Sequence, residues 1–266
     1  MGLIHWPSVL GREDTSASKG EVMECPGGLR FTIVIATCND AGLLPQTIEG
    51  AKALGDVQTI VVDSADSVDG TSVAGRRSGA KVLRVPGGSG RQMRAGVSSA
   101  SGDVLVFVPP GARLPGNCLD EIRAEAANPR VLGGVFRARP AGNFALKIAH
   151  RVLSAFGIRP YRSPWFAWRT AVEGDDGFRP LRVFEDRELL ARLSRRGKVA
   201  RLKSVAILED GHGLHRLLWT FLQIPYAMGV PARLLGRIYH KPRSPQRERV
   251  TTAIEVIIPQ VSPTSA

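Results

Sequence analysis

Four stretches decide the fold: FTIVIATCND at 31–40, QTIVVDSADSVDGT at 58–71, GRQMRAG at 90–96 and SGDVLVFVPPGA at 101–112. Within and beside them, residues 31–37, 57–62 and 104–108 are continuous apolar and β-branched runs, the pattern of strands covered by helices on both faces. Residues 43–54, 70–79 and 90–101 predict short helices, each followed by Gly or Asp turn residues, and 82–85 adds a further strand. Strands alternating with helices at this spacing form βαβ crossovers, so the three long runs are expected to be central parallel strands of an α/β sheet.

The pattern loosens beyond that frame. Residues 115–128 predict a helix, 131–139 a strand with Val135, Arg137 and Arg139 on one face, 143–156 an amphipathic helix and 165–168 another strand. At 185–196 the helix signals are strong. Acids occupy the first turn, Glu188 stands four residues before Arg192, arginines fill the last turn and Gly197 stops it. A strand at 198–208 follows, then a helical run of large apolar residues at 214–239 that Pro225 and Pro231 should break or kink. Residues 1–30 and 241–266 lack periodicity and read as a loose extension and a flexible tail, although 254–258 could add an edge strand. One domain at 31–240 is expected, with no internal repeat.

Composition narrows the class. A chain of 266 residues with 43% hydrophobic residues can bury a substantial core. Cys25, Cys38 and Cys118 are an odd, widely spaced set without a secretory leader, so a disulfide framework or zinc knuckle is not expected and a cytoplasmic location is. No run reaches the roughly 20 apolar residues of a membrane-spanning helix. A net charge of +12 reads either as arginine on solvated faces or as attraction to anionic headgroups or nucleotide diphosphates. A nucleic-acid partner is not expected, because aromatics are 6% of residues and none interleave with arginine as a base-stacking surface would.

Open α/β sheets bind ligands outside the carboxyl ends of their parallel strands. The residues to inspect are therefore Cys38-Asn39-Asp40, Asp63-Ser64-Ala65-Asp66 and Pro109-Pro110-Gly111. The first two groups suit a nucleoside: Asp63 could accept a base N–H, with Asn39 and Asp40 framing the ring. Asp63 and Asp69 could each instead cap the helix near Thr71, a role better suited to Asp69. The loop Gly87-Gly88-Ser89-Gly90 opens a helix with Arg91 and Arg94, which could bring backbone N–H groups and guanidinium to a pyrophosphate or be a plain connection.

The ordered segments ATCND, VVDSADSVDGT, GRQMRAG, SGDVLVFV, LGGVFRAR, PYRSP and FEDRELLARLSRRGK resemble family 2 inverting glycosyltransferases, especially their small bacterial cytoplasmic branch. The resemblance implies an α/β GT-A-like fold, a Rossmann-like mixed sheet flanked by helices, with a nucleotide-binding half at 31–111 and an acceptor half at 112–240. It also implies a nucleotide diphosphate sugar as donor, inversion at the anomeric carbon and, usually, Mg²⁺ or Mn²⁺. Asp63 matches the family's base-contacting aspartate, Asn39-Asp40 its pair after the first strand, and Glu185-Asp186 the pair whose aspartate is the general base. The chain departs from the family at Pro109-Pro110-Gly111-Ala112-Arg113, where Asp-x-Asp normally holds the metal, so no metal ligand is assigned. It departs again at Arg162-Ser163-Pro164, where a Gly-Asp-Gln type loop is expected.

Two readings follow from these losses. Arg91, Arg94, Arg113 or Arg162 neutralise the diphosphate without metal, or the site binds without turnover and the chain is a scaffold. His212 and His215 read as surface or capping residues rather than ligands. A nucleotidyltransferase is disfavoured, since that chemistry needs acid-held metal. The basic aromatic run at 214–239 suits either a membrane surface presenting a lipid-linked acceptor or a helix packed over the sheet or at a homodimer interface, and the prolines favour packing.

Overall fold

The computed structural model describes residues 28–141, 163–173, 177–209, 222, 225–226 and 230–238. The expectations for the extension at 1–27, the helix at 143–156, the loop through Arg162, His212 and His215, and the tail at 241–266 lie outside these residues.

The first half is a set of βαβ units: β1 (Phe31–Thr37), α1 (Leu44–Lys52), β2 (Val57–Ser64), α2 (Thr71–Arg77), β3 (Lys81–Val85), α3 (Ser89–Ser98) and β4 (Val104–Phe107). Then come β5 (Ala112–Arg113), α4 (Cys118–Ala126), β6 (Val131–Pro140), β7 (Trp165–Trp168), α5 (Arg169–Val172), α6 (Glu185–Arg196), β8 (Lys198–Leu208) and α7 (Ala232–Ile238). The strands form one sheet in the order β3-β2-β1-β4-β7-β6-β8-β5. It is parallel from β3 to β4, antiparallel on both sides of β7, and parallel again between β6 and β8.

Alternation along β1 explains why its sequence is apolar throughout. Phe31, Ile33 and Ile35 enter one core with Leu44 and Ile48 of α1 and Ile122 of α4. Val34 and Ala36 enter the other with Met93 and Val97 of α3 and Leu189 and Leu193 of α6. A strand between two helical layers has no polar side. β2 runs on to Ser64, which places Asp63 inside the strand rather than after it. The two-residue β5 is too short for any periodicity to reveal.

β8 bulges where its partner register skips, with Arg201 opposite Val135 and Val205 opposite Arg137. The N–H groups of Lys203 and Ser204 that this frees are taken by the Glu121 carboxylate of α4, which also accepts from the Ser204 hydroxyl. Burial alone would raise the Glu121 carboxyl, but these hydrogen bonds and the Lys203 charge hold it below its ordinary value of 4.5. A carboxyl lowered by folding adds stability above its unfolded pKa, and that stability is lost as pH falls through the folded pKa. Glu121→Gln is therefore expected to lower Tm at neutral pH, with the gap to wild type closing as pH falls to about 3. Melting curves across that range check this, and a constant gap would contradict it.

Candidate active site

The loops after β1 and β2 are sewn together. Asn39 adopts a left-handed φ of 60°, donates its N–H to Ser67 Oγ at 3.1 Å and accepts the Val68 N–H at 2.8 Å. Asp40 accepts from Thr37 Oγ1 at 2.9 Å and the Cys38 N–H at 2.8 Å, and gives its own N–H to Thr71 Oγ1. Asp69 accepts the Thr71 N–H at the start of α2, as a cap would, and also reaches the Ala41 N–H at 2.9 Å. Asp63 is buried, its two carboxylate oxygens accepting from Ser67 Oγ and Ser72 Oγ at 2.5 Å each. Each oxygen keeps a further lone pair, but Asp63 is only 1% exposed, so a base N–H would reach it only if the serines around it moved. The Cys38 thiol is raised by burial and Cys118 is pushed up to about 11, so neither is a ready thiolate.

The helix carrying GRQMRAG reaches the site by an unexpected face. Arg91 and Arg94 lie on its exposed side, whereas Gln92 and Met93 are buried. The Gln92 amide donates to the Thr37 and Val62 carbonyls, both at 2.8 Å, and so ties together the carboxyl ends of β1 and β2. The glycine loop before it is packed against the chain ahead of α6. The Gly90 N–H donates to Leu181 O at 2.9 Å and Ser89 Oγ to Arg182 O at 3.0 Å, so the first turn of α3 seats the chain that leads into α6.

After β4, Pro109-Pro110-Gly111-Ala112 closes a turn with Ala112 N–H on Pro109 O at 3.1 Å. Pro110 in second place and Gly111 at φ 79° in third are the residues a type II turn requires. The Gly111 N–H meets Thr47 Oγ1 at 2.8 Å and its carbonyl accepts the Glu209 N–H at 2.8 Å. Arg113, a candidate for the diphosphate, is instead in an ion pair with Glu209.

The predicted acids do converge on this end of the sheet. Phe184 precedes α6 at a left-handed φ of 59°, a conformation costing a non-glycine residue about 1 kcal/mol or more. This turn places Glu185, fully buried, and Asp186, half-buried, in the first helical turn. Both line a small pocket of about 20 Å³ with Ala36, Val108, Pro109 and Ser163. Phe107 and Trp165, stacked at 4.2 Å, also line it, and Phe178 packs against both rings. Tyr226, in the run at 214–239 whose prolines favour packing rather than a membrane surface, stacks on Phe184 at 4.4 Å. Burial pushes its phenol up; Arg187 opposes this, while Asp186 and Glu188 add to it. Leu222 and Leu235 are buried in the same cluster. The left-handed Phe184 carries no signal in a single sequence.

A family model described as glycosyl transferase family 2 matches residues 32–178. The chain belongs to glycosyl transferase family 2. Among solved structures, glucosyl-3-phosphoglycerate synthase from Mycobacterium tuberculosis with Mn²⁺, UDP-glucose and glycerol 3-phosphate is similar at TM-score 0.55 and 20% identity, covering 82% of this chain and 87% of that one. The same synthase with Mn²⁺, UDP-glucose and phosphoglyceric acid gives 0.54 and 20%, covering 82% and 86%. With UDP it gives 0.54 and 20%, covering 83% and 87%. At these identities the likeness establishes the GT-A fold, with its mixed sheet flanked by helices. A search of curated proteins returns no match.

The divalent metal usual in family 2 does not fit the residues present after β4. Residues 109–113 offer it no side-chain oxygen, and among the described residues no group of three His, Cys, Asp or Glu side chains is placed to hold an ion. Among the same residues, no helix is long and apolar enough to cross a membrane.

Proposed function

We propose that this family 2 chain transfers a sugar from a nucleotide diphosphate sugar to an acceptor hydroxyl with inversion, without a carboxylate-held cation. What carries the reading is the meeting of Glu185 and Asp186 with the loop after β4 in one pocket. Asp186 takes the acceptor proton as the hydroxyl oxygen bonds to the anomeric carbon. The bond from that carbon to the diphosphate breaks on the opposite face, and the electron pair leaves with the diphosphate. The loops of Asn39, Asp40 and Asp63 hold the nucleoside, with a serine yielding its place on Asp63. Arg91 and Arg94, exposed on α3, add positive potential toward the departing diphosphate. The proposed division is nucleotide half 31–111 and acceptor half 112–240.

The scaffold reading has its own support, since the pocket is small and Asp63 is already hydrogen-bonded. Thermal shift with a panel of nucleoside diphosphates, in EDTA and in Mn²⁺, separates the readings. One nucleotide at about 100 times its Kd is expected to add about 2.7 kcal/mol of stability in either buffer. A shift seen only with Mn²⁺ would overturn metal independence, and no shift with any nucleotide would overturn the transferase.

A further inference from the structure

The pocket borders a basic face of the sheet. Strand alternation puts Val135, Arg137 and Arg139 on one side of β6. The parallel register sets Arg201 beside Val135, Val205 beside Arg137 and Ile207 beside Arg139. On the other edge of β6, Trp165 pairs with Val135. Carrying that antiparallel register past the 3.0 Å bond from Phe136 N–H to Pro164 O brings Ser163 beside Arg137. Ser163 and Trp165 line the pocket, so the face adjoins it.

All three arginines are exposed, and among the described residues none is in an ion pair. Arg30, Arg113, Arg123 and Arg169, by contrast, each sit against a carboxylate. Arginines on alternate residues of a strand stand about 7 Å apart along the backbone, a row suited to a layer of several anions. Between them stand Val205 and Ile207, 37% and 40% exposed, where a purely aqueous face would carry polar groups. The net charge of +12 draws the chain toward such a layer.

We propose that this β6–β8 face docks on an anionic phospholipid surface and so presents a lipid-borne acceptor to Asp186 from the Ser163 side. The acceptor's role rests on the transferase reading; the docking does not. Co-sedimentation with vesicles of phosphatidylcholine containing phosphatidylglycerol, against phosphatidylcholine alone, tests it. The full chain is expected to bind only the anionic vesicles and to release with salt. Replacing Arg137, Arg139 and Arg201 together by glutamine is expected to weaken binding about 100-fold, given about five-fold per basic residue at such a surface. The nucleotide-dependent thermal shift should persist in this variant, so a failed transferase reading would register in that assay and not in sedimentation. Arg137→Gln alone should lose about five-fold, which keeps the test open if the triple variant misfolds. Glutamine at the exposed Arg76 and Arg77 of α2 should change nothing. Equal binding by the triple variant and wild type overturns the proposal. So does indifference to vesicles combined with arginine-dependent binding of inorganic phosphate or of single-stranded RNA.

Discussion

Asp186→Asn is expected to lower sugar transfer by about 10²–10⁴-fold while leaving nucleotide-induced stabilisation unchanged. The substitution keeps the side chain's size and its place in the first turn of α6, but removes the group that can accept the acceptor's proton. An acidic residue at a helix start also steadies the helix dipole, worth roughly 0.3–1 kcal/mol, so a small drop in Tm should accompany the loss of rate. The two effects separate cleanly because a stability defect of that size leaves the protein folded at assay temperature. Initial rates over a panel of nucleotide sugars, read beside the thermal shift, check the expectation. Equal rates in both proteins would remove Asp186 from the base role. No turnover by wild type with any donor would favour the scaffold.

How much of this could be read in the chain depends on how local the cause is. β1, β2 and β4 announce themselves because both faces of each are buried, which leaves an unbroken apolar run. α6 and β8 carry their own termini in charge and glycine, and their predicted bounds coincide with the observed ones. Glu185 and Asp186 were legible as an acidic first turn, but their meeting with Val108 and Pro109 is made by the sheet order, which a sequence does not state. The loops around Asn39 and Asp63 show the opposite difficulty. Residue type identified them as polar strand ends, yet their hydrogen bonds run to Ser67, Ser72 and Thr71, up to 31 residues away. Gln92 does not stand out beside its charged neighbours Arg91 and Arg94, because which of them is buried is undetermined until the helix face is known. Pro109-Pro110-Gly111 shows in sequence only an absence of acids, whereas in the fold it builds a turn that ties α1 to the end of β8.

Gly90→Ala should be among the most damaging single substitutions in the chain, at about 3 kcal/mol. A β-carbon at Gly90 would lie 2.2 Å from Arg179 O and 2.8 Å from both Leu181 N and Leu181 O. These are backbone atoms, so no side-chain rotation can relieve the clash. Either α3 withdraws or residues 179–182 move, and both routes break the Gly90 N–H bond to Leu181 O. For a chain of this size the loss corresponds to about 6–12 °C in Tm. The damage should reach function as well, because residues 179–182 lead directly into the left-handed Phe184 that sets Glu185 and Asp186 in the pocket. Gly50→Ala is the internal comparison. Gly50 lies within α1 with nothing within 4 Å of its would-be β-carbon, and alanine there should stabilise by about 0.5–1 kcal/mol. Thermal melts of the two variants are thus expected to move in opposite directions. A Gly90→Ala protein that melts and turns over like wild type would show that α3 and the approach to α6 do not share this contact.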